Sequence, residues 1–195
     1  MFEIVGPTLT LRLPEEADVA ALFALGSDPE TTQWFSWGPY RGEDEPRAWI
    51  ERAAAERAAG ERLSLVIARD GEAVGVTELT EPSRRDQRAM VGTWLGAAHW
   101  GTGVNAESKA LLLYLAFAVL GLRRVGAYAN VDNARSQHAL EKLGFVREGL
   151  LRRWHRHGDR YHDVLVYGLL REEWADDVAV EVRGEVPAAF AGFGE

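Results

Sequence analysis

The chain has 195 residues, of which 47% are hydrophobic and 27% charged, with a formal net charge of −8 at pH 7 and no cysteine. This is the composition of one soluble globular domain with a substantial core. It excludes disulfides, thiolate metal sites and cysteine nucleophiles, and its acidic balance argues against general nucleic-acid binding. Met1-Phe2-Glu3-Ile4-Val5-Gly6-Pro7 lacks the basic and apolar regions of a signal peptide, and the most apolar stretch, Ala110 to Leu122, is too short to span a bilayer, so the expected compartment is the cytoplasm, with no membrane contact.

Thr8 to Leu13 alternates through Leu9, Leu11 and Leu13 as a half-buried strand. Pro14-Glu15-Glu16 opens a helix that carries Val19, Leu22, Phe23 and Leu25 to about Gly26. Thr31 to Gly42 is an aromatic loop with Trp34, Phe35, Trp37 and Tyr40, either a packed corner or a wall of a substrate cleft. Glu43 to Ala59 reads as a helix stopped by Gly60. Leu63–Arg69 and Ala73–Leu79 read as a hairpin across Asp70-Gly71. A polar connection, Glu81 to Arg88, leads to a strand from Met90 to Leu95, and a long apolar helix follows to about Leu120. Arg123 to Asn130 is a further strand. A helix capped by Asp132 or Asn133 ends at Gly144, and Phe145–His155 and Tyr161–Leu170 form a last hairpin. The order β-α-α-β-β-β-α-β-α-β-β predicts a mixed α/β sheet flanked by helices.

Between the strand at Met90–Leu95 and its helix lies His99-Trp100-Gly101-Thr102-Gly103-Val104-Asn105-Ala106-Glu107-Ser108-Lys109. Glycines at a helix entrance leave N–H groups uncovered, and the helix dipole favours negative charge there, so this is a phosphate site in outline. Two other readings compete. The glycines can be a simple turn, and Gly101, Gly103 and Ala106 also satisfy the dinucleotide fingerprint G-x-G-x-x-G/A. The second would make the chain a nicotinamide oxidoreductase. Its position past mid-chain leaves little room for the rest of a doubly wound sheet, and no Walker pattern competes.

Downstream, Asn133-Ala134-Arg135-Ser136 and Glu141-Lys142-Leu143-Gly144-Phe145 complete a second motif, N-x-x-S…E-K-L-G-F. With the W-G-T-G-V-N-A-E-S-K loop, this order resembles the GNAT acetyltransferase superfamily. The run Asp163 to Trp174 resembles the closing strand of its ribosomal-protein N-terminal (alanine/serine) acetyltransferase branch. The resemblance covers about Thr8 to Trp174. It implies a GNAT domain over 8–174, leaving 175–195 as a tail of open role. It also implies the acyl-CoA N-acyltransferase fold, in which the strands on either side of the phosphate-loop helix splay to admit the pantetheine arm. The implied cosubstrate is acetyl-CoA, with no metal, and the implied partner is an amine acceptor, with a ribosomal-protein N-terminus as the leading choice. Monomer and homodimer both remain open.

Carried over residue by residue, the resemblance assigns pyrophosphate contact to Trp100, Gly101, Thr102, Gly103, Val104, Asn105 and Ala106, and assigns the pantetheine and acetyl group to the backbone of Leu95. Trp100 and Asn105 depart from the usual Gln/Arg and Gly/Ala. A backbone cradle survives such changes, because it depends on N–H direction. Asn105 also suits a helix cap. Asn133 is assigned to hold the cofactor arm, with helix N-cap as its other role. The usual general-acid tyrosine is replaced by Leu140, so Ser136 is the candidate partner of the departing thiolate. Met90 stands where relatives often carry a glutamate, which leaves Glu78 as candidate base and His99 and His138 in reserve. Trp34 and Trp37 are candidate acceptor contacts. Arg84, Arg85, Arg88 and the run Arg152–Arg160 are candidates for a 3′-phosphate or an acidic acceptor, or simply solvated charge. The expected reaction is direct attack of a primary amine on acetyl-CoA. The alternatives are an antibiotic- or polyamine-type acetyltransferase, or an acyl-CoA sensor without catalysis.

Overall fold

A computed structural model describes residues 2–193. Its strands are β1 (Phe2–Val5), β2 (Thr10–Arg12), β3 (Arg62–Arg69), β4 (Glu72–Ser83), β5 (Arg88–Leu95), β6 (Arg124–Asn130), β7 (Val146–His157), β8 (Arg160–Leu170) and β9 (Glu181–Gly184). They form one sheet in the order β7-β8-β6-β5-β4-β3-β2-β1-β9. The helices are α1 (Val19–Gly26), α2 (Pro29–Thr32), α3 (Asp44–Ala59), α4 (Val104–Tyr114) and α5 (Ala134–Glu141).

Local chemistry explains most boundaries. Gly60, at φ 72°, closes α3 in the left-handed conformation that an L side chain resists. Asp70 and Gly71 both have positive φ, 52° and 86°, as the tight β3–β4 hairpin requires. The long helix expected to Leu120 is α-helical only to Tyr114 and continues as a π turn, Leu115–Val119. Leu111, Leu112, Leu115 and Phe117 from this segment enter the main core beneath the sheet.

Two strands were not expected. β1 pairs antiparallel with β2, burying Phe2 and Ile4, and β9 pairs with β1 along the sheet edge. Residues 175–193 thus lie on the domain: Phe190 and Phe193 are buried, and Arg84 donates to the carbonyls of Ala189 and Ala191 while stacking on Phe193.

One register decides where a site can form. Every neighbouring pair is antiparallel except β5 and β6, whose parallel pairing requires the crossover that α4 supplies. That pairing runs from Arg88↔Arg124 to Val91↔Ala127 and stops. β5 stays bonded to β4 as far as Leu95, and β6 to β8 as far as Asn130. The two strands therefore diverge, leaving unpaired edges on both sides of a cleft in the middle of the sheet.

Candidate active site

The cleft opens into a cavity of about 1040 Å³ whose wall includes both splayed strands, the loop before α4, the start of α5 and the aromatic loop after α2. Eleven of the expected residues line it: Trp34, Trp37, Glu78, Leu95, Trp100, Gly101, Gly103, Asn105, Ala106, Asn133 and Ser136. Thr102 and Val104 do not. Thr102 is exposed, its hydroxyl donating to the His99 carbonyl at 2.7 Å, and the Val104 side chain is wholly buried in the core. Any part for these two falls to their backbone N–H groups.

Gly101 and Gly103 have φ of 73° and 88°, and Gly103 is the N-cap of α4. A Cβ built on either meets no protein atom within 4 Å. Their lack of side chains is thus not demanded by packing within the chain. It keeps open the space in front of a helix N-terminus whose first N–H groups have no intrahelical acceptor. The residues present fit a pyrophosphate.

Trp100 compensates for its own irregularity. Its indole N–H donates to the Leu95 carbonyl at 3.0 Å, tying the loop to the end of β5. The Arg135 guanidinium lies 3.3 Å from the centre of its ring. A cation therefore stands beside the loop where the usual Gln/Arg is missing, and burial lowers its pKa. Arg135 lines the cavity and was not singled out from sequence. Its place between Asn133 and Ser136 was the available signal.

Asn133 caps α5, its Oδ1 accepting from the Ser136 N–H at 3.1 Å. The cap leaves the amide NH₂ of Asn133 to the cavity. Ser136 is half-buried at the cavity wall, and Leu140 beside it is buried. Across the cleft, Glu78 on β4 accepts from the Ser64 hydroxyl at 2.8 Å and lies 3.7 Å from Arg62. His138 reaches the cavity and His99 does not.

The aromatic loop is both a packed corner and a wall. Trp37 stacks on Phe35 and Tyr40, with ring centres 5.5 and 5.1 Å apart, and meets Trp94 edge-on, while Trp34, Phe35 and Trp37 all face the cavity. Burial raises the Tyr40 phenol to about 12, so it stays protonated. From the last hairpin, Trp154 and His155 also reach the cavity, next to Tyr128 of β6. Burial, with a smaller push from His162, holds His155 below its ordinary pKa. The neighbouring arginines stay outside: Arg156 donates to the Gly158 carbonyl and pairs with Asp159 at the hairpin tip. Among the described residues no cluster of His, Asp or Glu could hold a metal ion, and no helix is long and apolar enough to cross a membrane.

Residues 8–146 match the model of the acetyltransferase (GNAT) domain. The chain belongs to the GNAT acetyltransferase family. It is 31% identical to the uncharacterized N-acetyltransferase p20 of Bacillus licheniformis, over 86% of this chain and 95% of that one. It is 25% identical to the ribosomal-protein-serine acetyltransferase of Escherichia coli, over 84% and 93%. The crystal structure of an acetyltransferase from T. thermophilus superposes with a TM-score of 0.77 at 34% identity, covering 88% of this chain and 90% of that one. As a GNAT acetyltransferase the protein is an N-acetyltransferase whose acetyl donor is acetyl-CoA. The nicotinamide reading of its glycine loop is thereby set aside.

Proposed function

We propose that the protein acetylates a peptide α-amine, with a ribosomal-protein N-terminus as the acceptor, and that the reaction takes place where β5 and β6 part. The observation that supports this location is that one cavity joins the splay, the open glycine loop at the head of α4, and the Asn133/Ser136 end of α5. Acetyl-CoA supplies the thioester whose carbonyl the amine attacks. Loop N–H groups and Arg135 hold its phosphates, and the free edges of β5 and β6 flank its arm. Glu78 accepts the proton that the amine must lose, directly or through a water, and the Ser136 hydroxyl donates a hydrogen bond to the departing sulfur.

The preference for an α-amine has a simple physical basis. At pH 7 about one α-amino group in ten is neutral, against about one lysine in a few thousand, and only the neutral amine is a nucleophile. An overall charge of −8 favours approach of basic peptides. Similarity to the Escherichia coli ribosomal-protein-serine acetyltransferase supports the same choice. A cytoplasmic location is part of the proposal.

Thermal unfolding tests the cofactor assignment. Acetyl-CoA at a hundred times its Kd should stabilise the fold by about 2.7 kcal/mol and raise Tm accordingly, and NAD should leave Tm unchanged. Stabilisation by NAD and not by acetyl-CoA would defeat it.

The aromatic wall gives a second check. Trp34→Ala should raise KM for a peptide acceptor severalfold while leaving KM for acetyl-CoA almost unchanged. Trp37→Ala should in addition lower Tm, because Trp37 stacks on Phe35 and Tyr40. Equal loss of both KM values in Trp34→Ala would remove this loop from the acceptor site.

A further inference from the structure

Lys109 is the one residue of α4 whose burial the fold does not explain. It is 9% exposed and lines the cavity, on the same helix face as Asn105 and Ala106, four and three residues earlier. No carboxylate or hydrogen-bond acceptor among the described residues partners its ammonium; burial is the sole cause that lowers its pKa, to about 8. A leucine or methionine would fill the space between helix and sheet without that desolvation cost. The ammonium itself is not sealed off: it opens to the cavity without a protein partner, placed to receive one from a bound ligand.

The chemistry of that partner follows from position. The Cα–Cβ bond of a helical residue leans toward the helix N-terminus, so the Lys109 stem sets out toward the first turn of α4, and its four carbons give the ammonium the reach to meet a group bound there. The ligand group bound there is anionic. The acceptor is the wrong sign: a protonated amine would be repelled by a second ammonium, and the acceptor side already has Glu78 and Glu81 on β4. The other titratable groups around the cavity are Tyr128 on β6, Arg135, His138 and Lys142 on α5, and His155 on β7. Glu107, on α4 itself, is turned away to the N–H groups of Thr8 and Leu9 and the hydroxyl of Thr8.

We propose that Lys109 is a cofactor-binding residue whose ammonium pairs with the pyrophosphate of acetyl-CoA held at the head of α4, so that binding takes up a proton. This rests on the reading of the cavity as the acetyl-CoA site. The sign follows directly. Ion pairing favours the ammonium, so the pKa rises from about 8 on binding, and affinity is full below 8 and declines as pH rises from there toward the bound-state pKa.

Titration calorimetry of the whole protein with acetyl-CoA at pH 8, in two buffers of different ionisation enthalpy, reads the uptake. Acetyl-CoA has no free thiol and its phosphates are fully ionised there. The expected uptake is about half a proton per acetyl-CoA in the wild type and none in Lys109→Met. The variant should bind acetyl-CoA about ten- to a hundredfold more weakly at pH 7, the range for a lost charged hydrogen bond. It should also melt higher than wild type without ligand, which shows that it folds. Uptake should persist with acetyl-dephospho-CoA; its loss there would transfer the partner to the 3′-phosphate and overturn the pyrophosphate assignment. Tight binding without proton uptake, or equal uptake in Lys109→Met, would overturn the role of Lys109 and leave the acetyl-CoA site standing. No binding of acetyl-CoA by the wild type would overturn both.

Discussion

Gly103→Val is expected to weaken acetyl-CoA binding by about 10²- to 10⁴-fold, the equivalent of losing two charge-assisted hydrogen bonds. Its Cβ would meet nothing of the protein within 4 Å, so the added isopropyl group enters the space in front of the α4 N-terminus. The fold should survive. At φ 88° a valine costs about 1–2 kcal/mol, a fraction of a typical domain's 5–15 kcal/mol. Gly71→Val provides the control. Gly71 has φ 86° and equally open surroundings, but lies at the β3–β4 turn, away from the cavity. It should lower Tm by a similar amount and leave acetyl-CoA affinity unchanged. Calorimetric titration of both variants checks the pair, and undiminished affinity in folded Gly103→Val would move the phosphate site elsewhere.

Ser136→Ala should act on catalysis instead of binding, lowering kcat by up to about 10²–10⁴-fold with acetyl-CoA affinity nearly intact. The reason is geometric. The position that the usual tyrosine would occupy holds Leu140, which is buried and has no proton to give, while Ser136 stands at the cavity wall one turn earlier on α5. Its backbone N–H is engaged by the Asn133 cap, so the helix end should persist when the hydroxyl is removed. Steady-state kinetics beside direct binding separates the two parameters. Wild-type turnover in Ser136→Ala would show that the sulfur departs without this hydroxyl.

Much of this arrangement was legible in the chain because local signals agreed with the global fold. Asp70-Gly71 is a good two-residue turn signal, and Gly101-x-Gly103 before an apolar helical run outlines an open helix N-terminus beside the readings of a simple turn and a dinucleotide fingerprint. β1 was hidden by brevity: four residues give Phe2 and Ile4 one alternation, too short to be distinguished from a loop. β9 was hidden by exposure, since all four residues face solvent and no hydrophobic period marks them. The end of β5–β6 pairing at Val91↔Ala127 has no local signal, because both strands continue to bond to their other neighbours. Most residues given a role from the motifs line the cavity, Thr102 and Val104 excepted, and Arg135 and Lys109, given none, line it too. Arg135 had one signal, its place between Asn133 and Ser136, but nothing local marks its stacking on Trp100, and Lys109 reads as one more solvated cation until its helix turns it inward. Arg84 shows the converse. In sequence it was a candidate for phosphate, but in the structure it holds the C-terminal segment through Ala189, Ala191 and Phe193.

The central claim is transfer of an acetyl group to a peptide α-amine at this cleft. Mass spectrometry of the products formed from acetyl-CoA, ribosomal-protein N-terminal peptides containing an internal lysine, and small amines such as spermidine tests it most directly. The account predicts a single acetyl group on the peptide α-amine, formed at a rate that Ser136→Ala reduces. Acetylation confined to lysine side chains or to the small amines would contradict it.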